Sequence, residues 1–135
     1  MAAVEGPRTG GGRAAAPERP DPLASPPPAF PPELAAEVAR RAFGLAGVLE
    51  PLVSERDQNF RLDTPEGERF LFKISNPADD RAVVEMQTEA LRHIERCDPS
   101  LPVMRVVPAA DGAPWAEAAG PDGRTYLVRA FTFLP

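Results

Sequence analysis

From Pro32 to Phe43 apolar side chains recur at helical spacing. Leu34, Ala35, Val38 and Ala42 share one stripe, Glu37, Arg40 and Arg41 fall elsewhere, and Gly44 follows as a stop signal. The period then shortens to two. Residues 48–53 and 59–62 read as short strands joined by the polar turn Ser54–Gln58, and Pro51 confines the first of them to a sheet edge. A Pro-Glu-Gly turn leads into a third strand over residues 69–75, "RFLFKIS". Alternation along it sends Phe70, Phe72 and Ile74 to one face and Leu71, Lys73 and Ser75 to the other. Three consecutive strands with short turns predict an antiparallel meander.

Helical spacing returns in "NPADDRAVVEMQTEALRHIERC". Asn76-Pro77 ends the strand, Asp79 or Asp80 can cap, and Val83, Met86, Ala90, Leu91 and Ile94 fall on one face of a helix of about four turns. Gln87 shares that face with Val83, Ala90 and Ile94, so it is expected to point inward. Glu85 and Glu89 lie two residues away on either side, about 200° around the helix, and are expected in solvent. "LPVMRVVPA" reads as a fourth short strand. "GAPWAEAAGPDGRTYLVRAFTFLP" reads as a hairpin turning at Gly-Pro-Asp-Gly, with a strongly apolar last strand. The pattern predicts an α+β fold, an antiparallel sheet of about five strands with one long packed helix, preceded by a short helix.

Composition divides the chain. Residues 1–32 hold nine of the 18 prolines and four of the ten glycines with few large apolar groups, which predicts a disordered tail. Residues 33–135 are left to form one domain with a moderate core. The tail breaks every apolar pair with Pro, Gly, Arg or Glu, unlike a secretory signal, and no stretch approaches a membrane span. Cys97 is the single cysteine and has no internal disulfide partner, in keeping with a cytoplasmic location. A net charge of −5 argues against bulk attraction to nucleic acid or anionic membrane and leaves room for a local basic pocket.

Lys73 is the residue that the pattern does not explain, an ammonium in an otherwise apolar strand. If it lies beneath the turn between the first two strands, the amides and polar side chains of Ser54 to Asn59 form a cradle suited to phosphate oxygens. His93 reads as a helix-surface residue and Trp115 as core or sheet edge.

The order of elements resembles the N-terminal lobe of the aminoglycoside phosphotransferase and choline-kinase-like group, small-molecule kinases with a protein-kinase-like fold. Within that group "SERDQNFRLDT", "FLFKISN", "EMQTEALRHI", "LPVMRVV" and "YLVRAFTFLP" are most similar to the hydroxylysine kinases and their bacterial relatives. The resemblance runs from about Phe43 to Pro135. It implies ATP or GTP with Mg2+ as cofactor, with Lys73 on the α- and β-phosphates. Ser54, Asp57, Gln58 and Asn59 then belong to the phosphate-covering loop, which departs from the protein-kinase pattern by lacking glycine. Gln87 takes the place of the helix glutamate that usually pairs with the lysine. Phe131 and Phe133 are candidates to line the base pocket, although apolar residues in a last strand also serve as plain core.

By the same resemblance, the base aspartate of an H-x-D loop and the magnesium carboxylates belong to a C-terminal lobe, and neither motif occurs in these 135 residues. The expectation is a nucleotide-binding lobe that stops at the hinge, with no catalytic residue of its own and no activity alone. The intact protein would phosphorylate a hydroxyl of an amino-bearing metabolite, such as hydroxylysine, another amino alcohol or an aminoglycoside. Two alternatives stay open at this point: a kinase-like domain leading a fusion to a pyridoxal-phosphate aminotransferase, and a non-catalytic nucleotide-binding or regulatory module.

Overall fold

A computed structural model describes residues 26–133. The order is α1 (Pro32–Phe43), β1 (Val48–Leu52), β2 (Gln58–Asp63), β3 (Arg69–Ile74), α2 (Arg81–Cys97), β4 (Val106–Val107), β5 (Ala116–Ala119) and β6 (Thr125–Thr132). The fold is α+β, and its antiparallel sheet has six strands rather than about five, in the order β1-β2-β3-β6-β4 with β5 also on β6. β3 takes one edge of β6 from Phe70↔Thr132 to Ile74↔Val128. β5 and β4 follow one another along the other edge, at Thr125–Val128 and Ala130–Phe131. Pro51 sits in β1, the outermost strand, where its missing N–H costs no ladder bond to a further strand.

Helix α1 opens with Pro32 at its first position and closes on Gly44 in the left-handed conformation, φ 69°. There the Gly44 and Leu45 amides donate to the carbonyls of Arg40 and Ala39. Its stripe Ala35, Val38, Ala39 and Phe43 is buried against one face of the sheet, where Phe60, Leu62, Phe72, Ile74, Val128 and Ala130 form the core. Phe43 meets Phe72 edge-on at 6.1 Å. The expected alternation of β3 is what builds this core, with Phe72 and Ile74 fully buried and Lys73 on the opposite face.

Packed residues reach into the stretch that composition assigns to the tail. Residues 1–25 of the expected tail lie outside the described residues, but within residues 26–32 Pro28 and Phe30 are buried. Phe30 is 2% exposed and stands edge-on to Tyr126 with ring centroids 5.1 Å apart. Its backbone is held at both polar atoms by one side chain: the Phe30 N–H donates to Gln58 Oε1 at 2.8 Å, and Gln58 Nε2 donates to the Phe30 carbonyl at 2.9 Å. Proline-rich composition hid this because a single large aromatic and a borrowed amide anchor the segment without regular structure.

Helix α2 is capped by Asp80, whose carboxylate accepts from the Ala82 N–H. Among the described residues no helix is long and apolar enough to cross a membrane.

Because Phe30 is a fully buried member of the core, edge-on to Tyr126 of β6, Phe30→Ala is expected to cost about 3–5 kcal/mol, the range for a fully buried aromatic. Gln58→Ala strips the same segment of its backbone partners and is expected to destabilise in the same direction. Equilibrium urea unfolding of the two variants checks both.

Candidate functional site

On the face of the sheet away from the core, register aligns three polar side chains across three strands. Asn59 of β2 is opposite Lys73 of β3, and Lys73 is opposite Arg129 of β6. The four buried polar residues among the described part are Ser75, Asn76, Thr88 and Arg129. All belong to this side, at the end of β3, on α2 and on β6. Buried polar groups need partners, so their concentration in one place marks the most constrained chemistry of the molecule.

Lys73 is anchored by the loop before β2. Its Nζ lies 3.2 Å from Asp57 Oδ2 and donates to Asn59 Oδ1 at 3.5 Å. The side chains of Lys73 and Asp57 are 25% and 16% exposed, shielded yet reachable from solvent. The other Asp57 oxygen accepts from the Asn76 N–H at 3.0 Å. Asn76 ties the turn together: its Nδ2 donates to the carbonyls of Arg56 (2.9 Å) and Pro26 (3.2 Å), and its Oδ1 accepts from the Ala78 N–H. Arg56 in turn pairs with Asp79. The β1–β2 loop and the turn after β3 are thus stitched into one polar unit around the lysine.

Arg129 is the cation that faces α2. Its Nη1 donates to Thr88 Oγ1 at 3.1 Å, its Nη2 to Ser75 Oγ at 3.3 Å, and its guanidinium lies 5.5 Å from the centre of the Phe131 ring. Its Nε is buried with no hydrogen-bond partner among the described residues. Burial draws the Arg129 pKa below its ordinary value, while the carboxylates of Asp57 and Asp79 act to raise it. A guanidinium nevertheless stays charged in a protein. Three cations, Lys73, Arg129 and Arg56, therefore share this region with two carboxylates, Asp57 and Asp79, an excess of positive charge in a chain that is acidic overall.

The candidate residues separate. Lys73, Asp57 and Asn59 come together as one cluster, with Ser54 at the start of the same loop. Gln58 does not join it, because alternation turns its side chain to the core face, where it is spent on Phe30. Phe131 is buried beneath Arg129 on the lysine's side of the sheet, while Phe133 donates its backbone N–H to the Arg69 carbonyl at the end of the strand.

Gln87 requires a correction. It is exposed on α2, and the residues turned inward are Val84 and Thr88, with Leu91 half-buried one turn on. The observed stripe is offset by about one residue, or 100°, from the apolar face read in the sequence, and leaves Val83 and Met86 exposed. The physical reason is Thr88, whose hydroxyl donates to the Val84 carbonyl and accepts from Arg129. A polar contact sets the helix's rotation, and counting apolar residues cannot see it. Arg129 and Thr88 were missed in the sequence for the same reason. The available signal was an arginine in an otherwise apolar strand, the same anomaly that singled out Lys73.

Comparison with known proteins points to a class and then to a particular relative. The class is that of the kinases, to a member of which the chain is similar. The relative is a protein named hydroxylysine kinase from Danio rerio, 35% identical over 105 residues that cover 73% of this chain and 29% of that protein. The chain therefore spans less than a third of the length of this curated relative. No family model matches the chain.

Two substitutions on α2 test the corrected rotation. Gln87→Ala is expected to change stability by no more than about 0.5 kcal/mol, as for most surface positions. Thr88→Val, which leaves Arg129 Nη1 without its acceptor, is expected to cost about 1–3 kcal/mol. Thermal and urea unfolding of the pair provides the measurement. Equal losses would return Gln87 to the inner face.

Proposed function

We propose that this chain supplies the nucleotide-binding part of a small-molecule kinase of the aminoglycoside phosphotransferase and choline-kinase-like kind. In the whole protein, the γ-phosphoryl of ATP or GTP passes to a hydroxyl of an amino-bearing metabolite. The observation that carries the reading is Lys73: a partly exposed ammonium on the face of the sheet away from the core, held in place by Asp57 and Asn59 at the mouth of the β1–β2 loop. Its neighbours add to the local positive charge. Similarity to a hydroxylysine kinase supports the same class, and the substrate in that relative's name carries both a hydroxyl and amino groups.

Lys73 suits nucleotide phosphates on chemical grounds. It is pre-oriented, partly desolvated and supplies three donors, so a phosphate oxygen placed on it gains a charge-assisted hydrogen bond without a new ordering cost. Asn59 would fix the orientation of the ammonium. Among the described residues no group of three or more His, Cys, Asp or Glu is placed to hold a metal ion. Magnesium in this reading arrives with the nucleotide, and the chain's own contribution is to bind and align phosphates. The phosphoryl acceptor and the groups that activate it belong to the remainder of the protein.

The test is direct binding of ATP and GTP to the purified chain by calorimetry. Lys73→Ala removes a charged hydrogen bond worth about 1.5–3 kcal/mol and is expected to weaken nucleotide affinity by about 10- to 150-fold. Gln87→Ala is expected to leave it unchanged. Equal affinity for nucleotide in the Lys73→Ala and native chains would remove the basis of the reading.

A further inference from the structure

Lys73 and Arg129 are direct cross-strand partners on one face of the sheet, and like charges so placed repel. The hydrogen bonds of Arg129 go to two hydroxyls, and it is 5% exposed. The carboxylate on Lys73 comes from the loop, Asp57, and the surroundings of that carboxylate are informative. One oxygen lies 3.2 Å from the lysine ammonium and the other accepts a backbone N–H at 3.0 Å. An ammonium on one side and a backbone amide on the other is also the donor set that receives a phosphate.

We propose that Asp57 is the resident occupant of this anion seat, its carboxylate standing in for a phosphate oxygen on Lys73 and yielding that place when a nucleotide phosphate arrives. The inference rests on the nucleotide-binding reading of Lys73. It reverses the sign of the role that the loop's resemblance implies for Asp57, which competes with the phosphate instead of holding it. The exchange is physically inexpensive. Both side chains are open to solvent in part, so no core contact has to break. The displaced carboxylate keeps favourable company, since its charge already acts on Arg129. In the empty state Asp57 prevents two adjacent cations from facing each other uncompensated. In the occupied state the phosphate takes over that function.

Asp57→Asn tests the exchange with little change of shape, because the amide oxygen still accepts from the Asn76 N–H while the competing charge is gone. The probes are ATP and inorganic tripolyphosphate, titrated calorimetrically into the native chain, Asp57→Asn, Lys73→Met and the double variant, each checked for folding by circular dichroism. Asp57→Asn is expected to bind both probes roughly threefold to tenfold more tightly, the scale of a partly shielded ion pair. In the Lys73→Met background the same change is expected to have no such effect. Weaker or unchanged binding in Asp57→Asn, with binding still dependent on Lys73, overturns the stand-in role and leaves Lys73 as a phosphate contact. Binding that ignores Lys73, or no binding by the native chain, overturns the nucleotide reading and this inference with it. Should Asp57→Asn fail to fold, Asp57→Ser carries the same expectations. A gain for ATP without one for tripolyphosphate would locate the effect at the base and also overturn the proposal.

Discussion

Strict alternation along β3 is the constraint on which the rest of the molecule depends. Phe72 and Ile74 cannot enter the core unless Lys73 and Ser75 face the other way, so the packing that stabilises the sheet also fixes where its charge is presented. A one-residue slip would bury an ammonium and expose two large apolar side chains. The core face, filled by α1 and Phe30, therefore holds the register on behalf of the polar face. Any substrate contact made by Lys73 inherits the rigidity of a hydrophobic core on the far side of the same strand.

Lys73 and Arg129, cross-strand neighbours on the polar face, are held by different means. Arg129 is buried, with hydroxyls on α2 and at the end of β3 as its hydrogen-bond partners, so it works as a structural charge that links the helix to the sheet. Lys73 is half open, and its partners sit on the β1–β2 loop. Burying a charge without a carboxylate of its own is expensive, and the field of Asp57 and Asp79 offsets part of the cost. The site is therefore sensitive to loop position in a way that the helix contact is not.

Much of this was legible in the sequence where apolar spacing carried the signal. The strands of the meander, the closing hairpin, the Gly44 stop and the inward Phe72 and Ile74 all follow from periods of 3.6 and 2 with the right turn residues. The isolated charge at Lys73 was legible too, as a violation of its strand's pattern. What escaped was specified by polar contacts between distant residues. Thr88 rotates α2 by meeting Arg129, 41 positions on, and Gln58 turns from loop candidate to clamp by meeting Phe30, 28 positions back. Neither contact leaves a periodic trace. The burial of Pro28 and Phe30 escaped for a related reason, since proline-rich composition reports the absence of helix and strand but not the absence of packing.

The carbonyl of Pro26 accepts from Asn76, the same residue whose backbone N–H steadies Asp57. Pro26 thus lies at the rim of the lysine cluster. A fluorescent label attached at Pro26 would be a neighbour of the Lys73–Asp57 cluster. For anyone engineering the molecule, Pro26 serves as a reporter position, and a handle intended to be inert belongs elsewhere, for example on the β5–β6 turn at Pro121–Gly123.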